Sequence, residues 1–356
     1  MEQLTMFDES KSELRNFMES EKYRKGVFKT KDELIQELSA QGKKHIYRVL
    51  SFGGGTQSSH LLEQHFKGLI HYDYIIFSDT GAEPEFIHQQ VEWWRQRQKE
   101  YGNTTPFITT HHKSMERGLE EMLMRYIYTD YQRFQLPIYC NEIDKDGNEV
   151  KGGLMPRQCT VDFKIIPVKQ TARRLVMESK GLKSTQRMPK DTSFIIDIGF
   201  SYDEIKRINV CQSPQFKYMY LSYPLVEENL TTNDSIQFLR ENNMPDKRSR
   251  CYLCPFNCDK QGISWDEIIE EESLSFIKAC WIDEQLRKVQ STGTKMMKSI
   301  PYLHYKRIPL KEAYNEKYAK LYLKHQNELT EWIIEWEQRL AEKYGVEFEV
   351  ETNEIA

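Results

Sequence analysis

Two groups of residues have the types and spacing that chemistry requires. The first is Ser51-Phe52-Gly53-Gly54-Gly55-Thr56-Gln57-Ser58-Ser59. Successive glycines let a backbone turn sharply and approach a ligand closely. A helix starting there presents unpaired N–H groups and the positive end of its dipole to an anion. Ser58 and Ser59 add hydroxyl donors or a helix cap. The chemistry implied is a phosphate cradle. The second group is Cys251, Cys254 and Cys258, where Cys251-x-x-Cys254 with Pro255 behind it is a half-site for zinc or an iron–sulfur cluster. A complete site needs one or two further ligands, and Cys258 is close enough in sequence to serve. A structural zinc clip and unliganded thiols are the alternatives.

The glycine run is not a Walker A loop, because no lysine lies between Ser51 and Phe66, and the G-x-G-x-x-G spacing of a dinucleotide fingerprint is absent. Further along, Ser78-Asp79-Thr80-Gly81 follows an apolar run. Asp79 there can bind Mg²⁺ or a ribose hydroxyl, or cap a helix. Arg157, Lys164 and Arg207 are candidates for stabilising phosphate charge, the two arginines by the two-pronged fork of a guanidinium; ordinary surface ion pairs are the alternative. His111 and His112 read as the end of a strand rather than an acid–base pair.

These residues need elements to position them. Ile46 to Phe52, Tyr72 to Phe77, Pro106 to Thr110, Phe194 to Phe200 and Tyr218 to Leu225 read as strands by their β-branched and aromatic content. Helical patterns alternate with them, which predicts a doubly wound, mostly parallel α/β sheet. Ligands of such sheets sit beyond the carboxyl ends of the strands, where the glycine turn, Asp79 and the histidine pair all fall. Residues 1–44 read as a helical extension with Leu34, Ile35 and Leu38 as its apolar stripe. The α/β domain spans 45–260, with a hairpin insertion near 126–156 and a cysteine-bearing loop at 245–258. Residues 261–356 read as helical throughout. Their stripe of Tyr314, Tyr318, Leu321, Leu329, Trp332, Ile333, Trp336 and Leu340 is expected to pack a core.

In this arrangement the glycine run resembles the loop of the PP-loop ATP pyrophosphatases, within them the phosphoadenosine phosphosulfate (PAPS) reductase-like family, where it commonly reads Ser-Phe-Ser-Gly-Gly-Lys-Asp-Ser. Gly53 stands for the family's second serine, Thr56 for its lysine and Gln57 for its aspartate. Four further blocks are similar to the family in order: Ile76-Phe77-Ser78-Asp79-Thr80-Gly81; Arg157-x-Cys159-Thr160 with Lys164; Gly199-Phe200-Ser201-x-Asp203-Glu204-x-x-Arg207; and Tyr223-Pro224-Leu225 with Ser249-Arg250-Cys251-Tyr252-Leu253-Cys254-Pro255-Phe256. The resemblance covers about 46 to 290 and matches the family's uncharacterised branch. It implies an adenine nucleotide alpha hydrolase-like fold and attack on the α-phosphate of ATP, releasing pyrophosphate and leaving an adenylylated substrate. The nucleotide, with Mg²⁺, would lie on Ser51 to Ser58 and Ser78 to Thr80. By the pattern of related sulfur-transferring enzymes, Cys159, Cys251 and Cys254, with Cys258 as a fourth, would carry a [4Fe–4S] cluster.

Composition narrows the class. Charged residues make up 29% of the 356-residue chain and hydrophobic ones 39%, as in a globular protein. No apolar run approaches the roughly 20 residues that span a bilayer, so no membrane partner and a cytoplasmic location are expected. Seven cysteines in such a compartment point away from disulfides. The formal charge of −4 gives no global attraction for a polyanion. Lys169 to Lys190 is locally basic, however, and reads as a solvated helix face or a nucleic-acid landing patch. The expectation is an enzyme that adenylylates, then thiolates or amidates, a nucleobase or nucleic acid. A catalytically degenerate nucleotide-binding subunit working with partner proteins in a defence or DNA-modification system is the alternative. A PAPS-type reductase is a third reading; it typically needs a cysteine in a mobile C-terminal tail, and none follows Cys280.

Overall fold

A computed structural model describes residues 28–208, 211–213, 215–257 and 264–348. In chain order, α1 (Lys31–Ala40) leads into β1 (His45–Phe52), α2 (Thr56–Phe66), β2 (Tyr74–Ser78), α3 (Glu85–Glu100) and β3 (Phe107–Thr110). Then come α4 (Gly118–Tyr128), the hairpin β4 (Tyr139–Ile143) and β5 (Glu149–Leu154), and α5 (Ile166–Ser179). The remainder is β6 (Thr192–Ile198), β7 (Met219–Ser222), α6 (Thr232–Glu241), α7 (Trp265–Glu271), α8 (Ser273–Ser291), β8 (Ile300–Tyr302) and α9 (Asn315–Tyr344). Two compact units share these elements. The first comprises Met1–Ser78, Ile87–Thr110 and Ile165–Ser249; the second comprises Asp79–Phe86, His111–Lys164 and Arg250–Ala356.

The first unit is an α/β structure built on a five-stranded sheet of order β3-β2-β1-β6-β7, with every pairing parallel. Its strands are near-continuous apolar runs because both faces are covered. On one face Val49, Ile76, Phe194 and Ile196 pack with Val168, Ala172, Val176 and Met177 of α5. Ile195 and Tyr220 pack instead with Leu34 and Leu38 of α1. Helix α1 is started by a reciprocal cap between Thr30 and Glu33, and α6 by the same device at Thr231 and Asp234. The chain leaves β1 toward β2 and β3 and returns on its other side at β6 and β7, so the strand order reverses at β1. Buried Arg48 of β1 is paired with Asp197 of β6.

The second unit carries a three-stranded antiparallel sheet of order β5-β4-β8. The insertion is a hairpin, turned at Asp144–Asn148. Residues 300–302, expected to be helical, instead form β8 and pair with β4; a three-residue Ile-Pro-Tyr segment is too short to show a period. The stripe on α9 is a core: Leu329, Trp332, Trp336 and Leu340 are buried beside Trp265, Phe276 and Met122, with Tyr314, Tyr318, Leu321 and Ile333 at its margin. Among the described residues no helix is long and apolar enough to cross a membrane.

Candidate functional site

The glycine turn closes β1 at the carboxyl edge of the sheet, between β2 and β6. Its three glycines meet three different demands. Gly54 sits in the left-handed region at φ 69°, against Ile87 and Phe77. Gly55 precedes α2 with extended backbone, and a Cβ there would lie 2.5 Å from the Ser249 nitrogen. Gly53 has neither constraint: its nearest contact for an added Cβ is Ser58 Oγ at 3.8 Å. No side chain caps α2, so its first N–H groups have no acceptor within the helix. The Gly53 N–H donates to Ser58 Oγ (3.1 Å), and that hydroxyl donates to the Gly55 carbonyl (3.0 Å).

The segment 246–249 lies on this turn, within the same unit. Thr56 Oγ1 donates to the Asp246 carbonyl (3.2 Å), and the Gln90 amide donates to both the Gly54 (2.6 Å) and Lys247 (3.1 Å) carbonyls. Gly53 and Gln57 keep some exposure while Gly54, Gly55, Thr56 and Ser58 are buried. Phe52 is a core residue against Phe77 and Phe107, flanked by half-buried Ser51 and, on β2, buried Ser78. Gly199 also meets the turn, since a Cβ there would stand 3.0 Å from the Ser58 nitrogen. Gln57 Nε2 donates to Glu204 (3.3 Å) and Thr232 (3.3 Å). Arg207 pairs with the same Glu204 and lies 4.2 Å over the Phe200 ring. An aspartate at position 57 would place a second carboxylate against Glu204, which gives the glutamine a local reason.

The basic run has a structural part. Arg173 donates to Tyr218 Oη (3.0 Å) and to the carbonyls of Ser184 and Gln186, while Arg174 pairs with Glu178.

In the second unit, the thiols expected to act together are neighbours. Burial pushes the Cys159, Cys251 and Cys254 thiols up; the charges of Cys254 and Cys159 add to the shift at Cys251, and that of Cys159 adds to it at Cys254. The charge of Arg157 opposes the shift at Cys159 and at Cys254, and Lys164 does so at both as well. Five expected residues thus share one neighbourhood. Cys159 is held by its N–H to the Gln135 carbonyl (2.8 Å). Behind it, buried Asp162 accepts from Arg133 (2.9 Å), Gln135 (2.6 Å) and Gln158 (3.1 Å). The Cys251–Cys254 loop is pinned by Tyr252, whose N–H donates to the Ala82 carbonyl (2.9 Å) and whose hydroxyl donates to Glu120. Asn257 donates to the Cys251 carbonyl (2.9 Å). Residues Val161–Ile165 wind as a π-helix that carries Lys164, a form frequent at functional sites.

Asp79 closes a turn on its own chain, accepting from the Gly81 N–H (2.7 Å), with His111 Nδ1 3.7 Å from its other oxygen. His112, just beyond the end of β3, meets the Phe163 ring at a tilt, 4.9 Å between centroids. Sequence reasoning missed Glu83. Its carboxylate is buried and accepts from the Thr80 N–H (2.9 Å) and hydroxyl (2.7 Å), and Lys164 Nζ stands 3.7 Å away. Burial raises its pKa, Lys164 opposing and Asp79 adding to the shift. The Thr80-x-x-Glu83 spacing was the available signal.

No family model matches the chain, and no curated protein matches it. Among the described residues, no group of three or more His, Cys, Asp or Glu side chains is arranged to hold a metal ion. Cys258, the expected fourth thiol, lies outside the described residues. The donor set itself, soft sulfur with cations beside it, suits zinc or iron–sulfur chemistry.

Proposed function

We propose that the chain is an ATP-binding PP-loop enzyme, PAPS reductase-like, with an adenine nucleotide alpha hydrolase-like sheet. It adenylylates a substrate as a step in sulfur transfer to, or related modification of, a nucleobase or nucleic acid. One observation carries the reading: an uncapped, glycine-built helix start stands at the end of β1 where the strand order reverses. Open parallel sheets bind ligands in the crevice at that reversal. Gly53 supports it further, being a glycine that the fold itself does not require.

The backbone N–H groups of residues 53–58 hold the departing phosphates of ATP, which enters with Mg²⁺. A nucleophile on the substrate bonds to the α-phosphorus, the bond from that phosphorus to the bridging oxygen breaks, and pyrophosphate leaves. A second nucleophile then displaces AMP. Positioning and charge neutralisation account for most catalysis of this kind. Arg207, held by Glu204 and Phe200 in the unit that carries the turn, supplies positive charge. In the other unit the charges of Arg157 and Lys164 oppose the upward shift that burial gives the Cys159 and Cys254 thiols. Cys159, Cys251 and Cys254, with Cys258, are the residues that would hold a [4Fe–4S] cluster, which supplies sulfur-carrying chemistry, or a zinc ion, which supplies a structural clip.

A second reading has its own support. Thr56 and Gln57, at the positions of the family's lysine and aspartate, are engaged by Asp246, Glu204 and Thr232. A nucleotide-binding subunit without turnover, working with partner proteins, fits that engagement. Product analysis separates the two. Anaerobic incubation with ATP and oligonucleotide yields AMP and pyrophosphate under the first reading. Binding without products favours the second, and ADP with phosphate contradicts the first.

A further inference from the structure

A cleft of about 400 Å³ in the second unit is lined by Asn141, Lys151, Tyr305, Lys306 and Arg307. Three of the five are cations, and among the described residues no carboxylate lines it. We propose that this cleft binds the phosphodiester backbone of single-stranded nucleic acid, with Tyr305 as a platform for an unstacked base. The volume lies at the lower end of ligand sites, about 300–1,000 Å³. That suits one nucleotide unit of a passing chain.

The cleft is built, rather than an accident of a flexible loop. Arg307 adopts a left-handed backbone (φ 57°) at the end of a turn closed by its N–H to the His304 carbonyl (2.9 Å). A non-glycine residue holds that conformation only where its surroundings enforce it. Its guanidinium donates to the Cys140 (3.0 Å) and Gly152 (3.1 Å) carbonyls, one on β4 and one on β5. Arg307 therefore fixes the floor, while exposed Lys151 and Lys306 line the rim. Glu149, the nearby carboxylate of β5, is engaged by Tyr302 Oη (2.6 Å) and the Asn141 amide (2.7 Å).

Cations and aromatic rings continue from the cleft in one path. Arg307 lies 5.4 Å over the Tyr139 ring, Tyr139 meets Phe256 edge-on at 6.5 Å, and Arg157 lies 5.6 Å over Phe256. Arg157 is also the cation whose charge reaches Cys159 and Cys254. Alternating rings and cations are what sequence-tolerant binding of a single strand uses, since every base has a stacking face and every link a phosphate. A duplex, whose bases are already stacked, gains nothing from the rings. The basic run at 169–190 lacks this alternation, and Arg173 and Arg174 there are engaged within the fold.

The inference deepens the acceptor half of the function proposed above. Its test contains no ATP, so failure here leaves nucleotide binding by the first unit untouched, and the converse holds. Anisotropy of a fluorescein-labelled single strand of about 15 nucleotides is measured against the full chain over a range of salt. Three cations predict a log–log salt slope of about −2, at about −0.7 per contact. Lys151→Glu with Lys306→Glu, both at exposed positions, is expected to lower affinity at least about 10-fold and flatten the slope. Lys183→Glu with Arg187→Glu in the basic run is expected to leave binding within about twofold. Tyr305→Ala is expected to weaken binding about 10-fold, and Tyr305→Phe, which keeps the ring, to restore it; circular dichroism checks that each variant is folded. The proposal is overturned by absent wild-type binding at low salt, by an unaffected Lys151/Lys306 variant, or by loss in the Lys183/Arg187 variant instead. Duplex binding of equal strength, or displacement of the strand by millimolar inorganic phosphate, overturns it as well.

Discussion

Gly53→Ala separates a ligand requirement from a folding requirement at the glycine turn. An alanine Cβ at position 53 meets only Ser58 Oγ, at 3.8 Å, an ordinary contact, and the backbone there is outside the left-handed region. The substitution keeps the N–H that bonds Ser58. Replacing glycine where the backbone tolerates alanine stabilises by about 0.4–1 kcal/mol through the unfolded chain. Melting is therefore expected to stay unchanged or rise slightly. Its neighbours behave differently. Gly54→Ala adds about 1–2 kcal/mol of left-handed strain together with contacts at 3.1 and 3.2 Å to Ile87 and Phe77. Gly55→Ala forces Ser249 away from a 2.5 Å overlap, an overpacking cost of about 1–3 kcal/mol. Under the proposed phosphate cradle, a methyl group at Gly53 would crowd an approaching phosphate, so ATP affinity by calorimetry should fall at least about 10-fold in a fully folded variant. Unchanged affinity in Gly53→Ala would refute the assignment of the turn as the phosphate cradle. Loss of stability in that variant would refute the steric reasoning.

Further outcomes follow from other parts of the molecule. Gly118→Ala is expected to cost more than about 3 kcal/mol, because its φ is 55° and the added Cβ would lie 1.9 Å from the Thr80 carbonyl; a thermal melt of the variant checks it. His60, stacked 4.1 Å from Phe238, is held neutral by burial, with its pKa lowered from 6.5 to about 4. Because the folded value lies below the unfolded one, about 3 kcal/mol of stability is present above pH 6.5 and lost as the pH falls through about 4. Denaturant midpoints across that window should show this loss in the wild type and not in His60→Gln. In metal-free protein, Cys159, Cys251 and Cys254 are held as thiols by burial. Alkylation by iodoacetamide should therefore be slower than for an exposed cysteine at pH 8 and accelerate only above the ordinary thiol range. Peptide mapping of the labelled protein reads this site by site.

Much of the first unit was legible because its strands are short apolar runs ending in glycine or polar residues. β1, β2, β3, β6 and β7 lie within two or three residues of their expected positions. The strand run expected to reach Leu225 stops at Ser222, since Pro224 opens a short helix. The second unit was harder to read. β8 is three residues long and is a strand only because β4 pairs with it, which no local pattern encodes. Among the thiols, Cys251-x-x-Cys254 declared itself by spacing, whereas Cys159, distant in sequence, came only from the resemblance; the structure holds it by its N–H to the Gln135 carbonyl, whose amide also bonds Asp162. Glu83 escaped because the Thr80-x-x-Glu83 spacing marks a local cap but not the burial of its carboxylate beside Lys164. Glu204 was visible within its block, but not its bonds to Gln57 and Arg207, which tie two separate sequence blocks together.

The central claim is that the turn after β1 holds the phosphates of ATP, and hydrogen exchange read by mass spectrometry tests it in place. With saturating ATP and Mg²⁺, the peptide covering Gly53 to Ser59 should exchange more slowly than in the free protein, and Gly53→Ala should abolish that difference. Binding of ATP with no protection in that peptide would contradict the account.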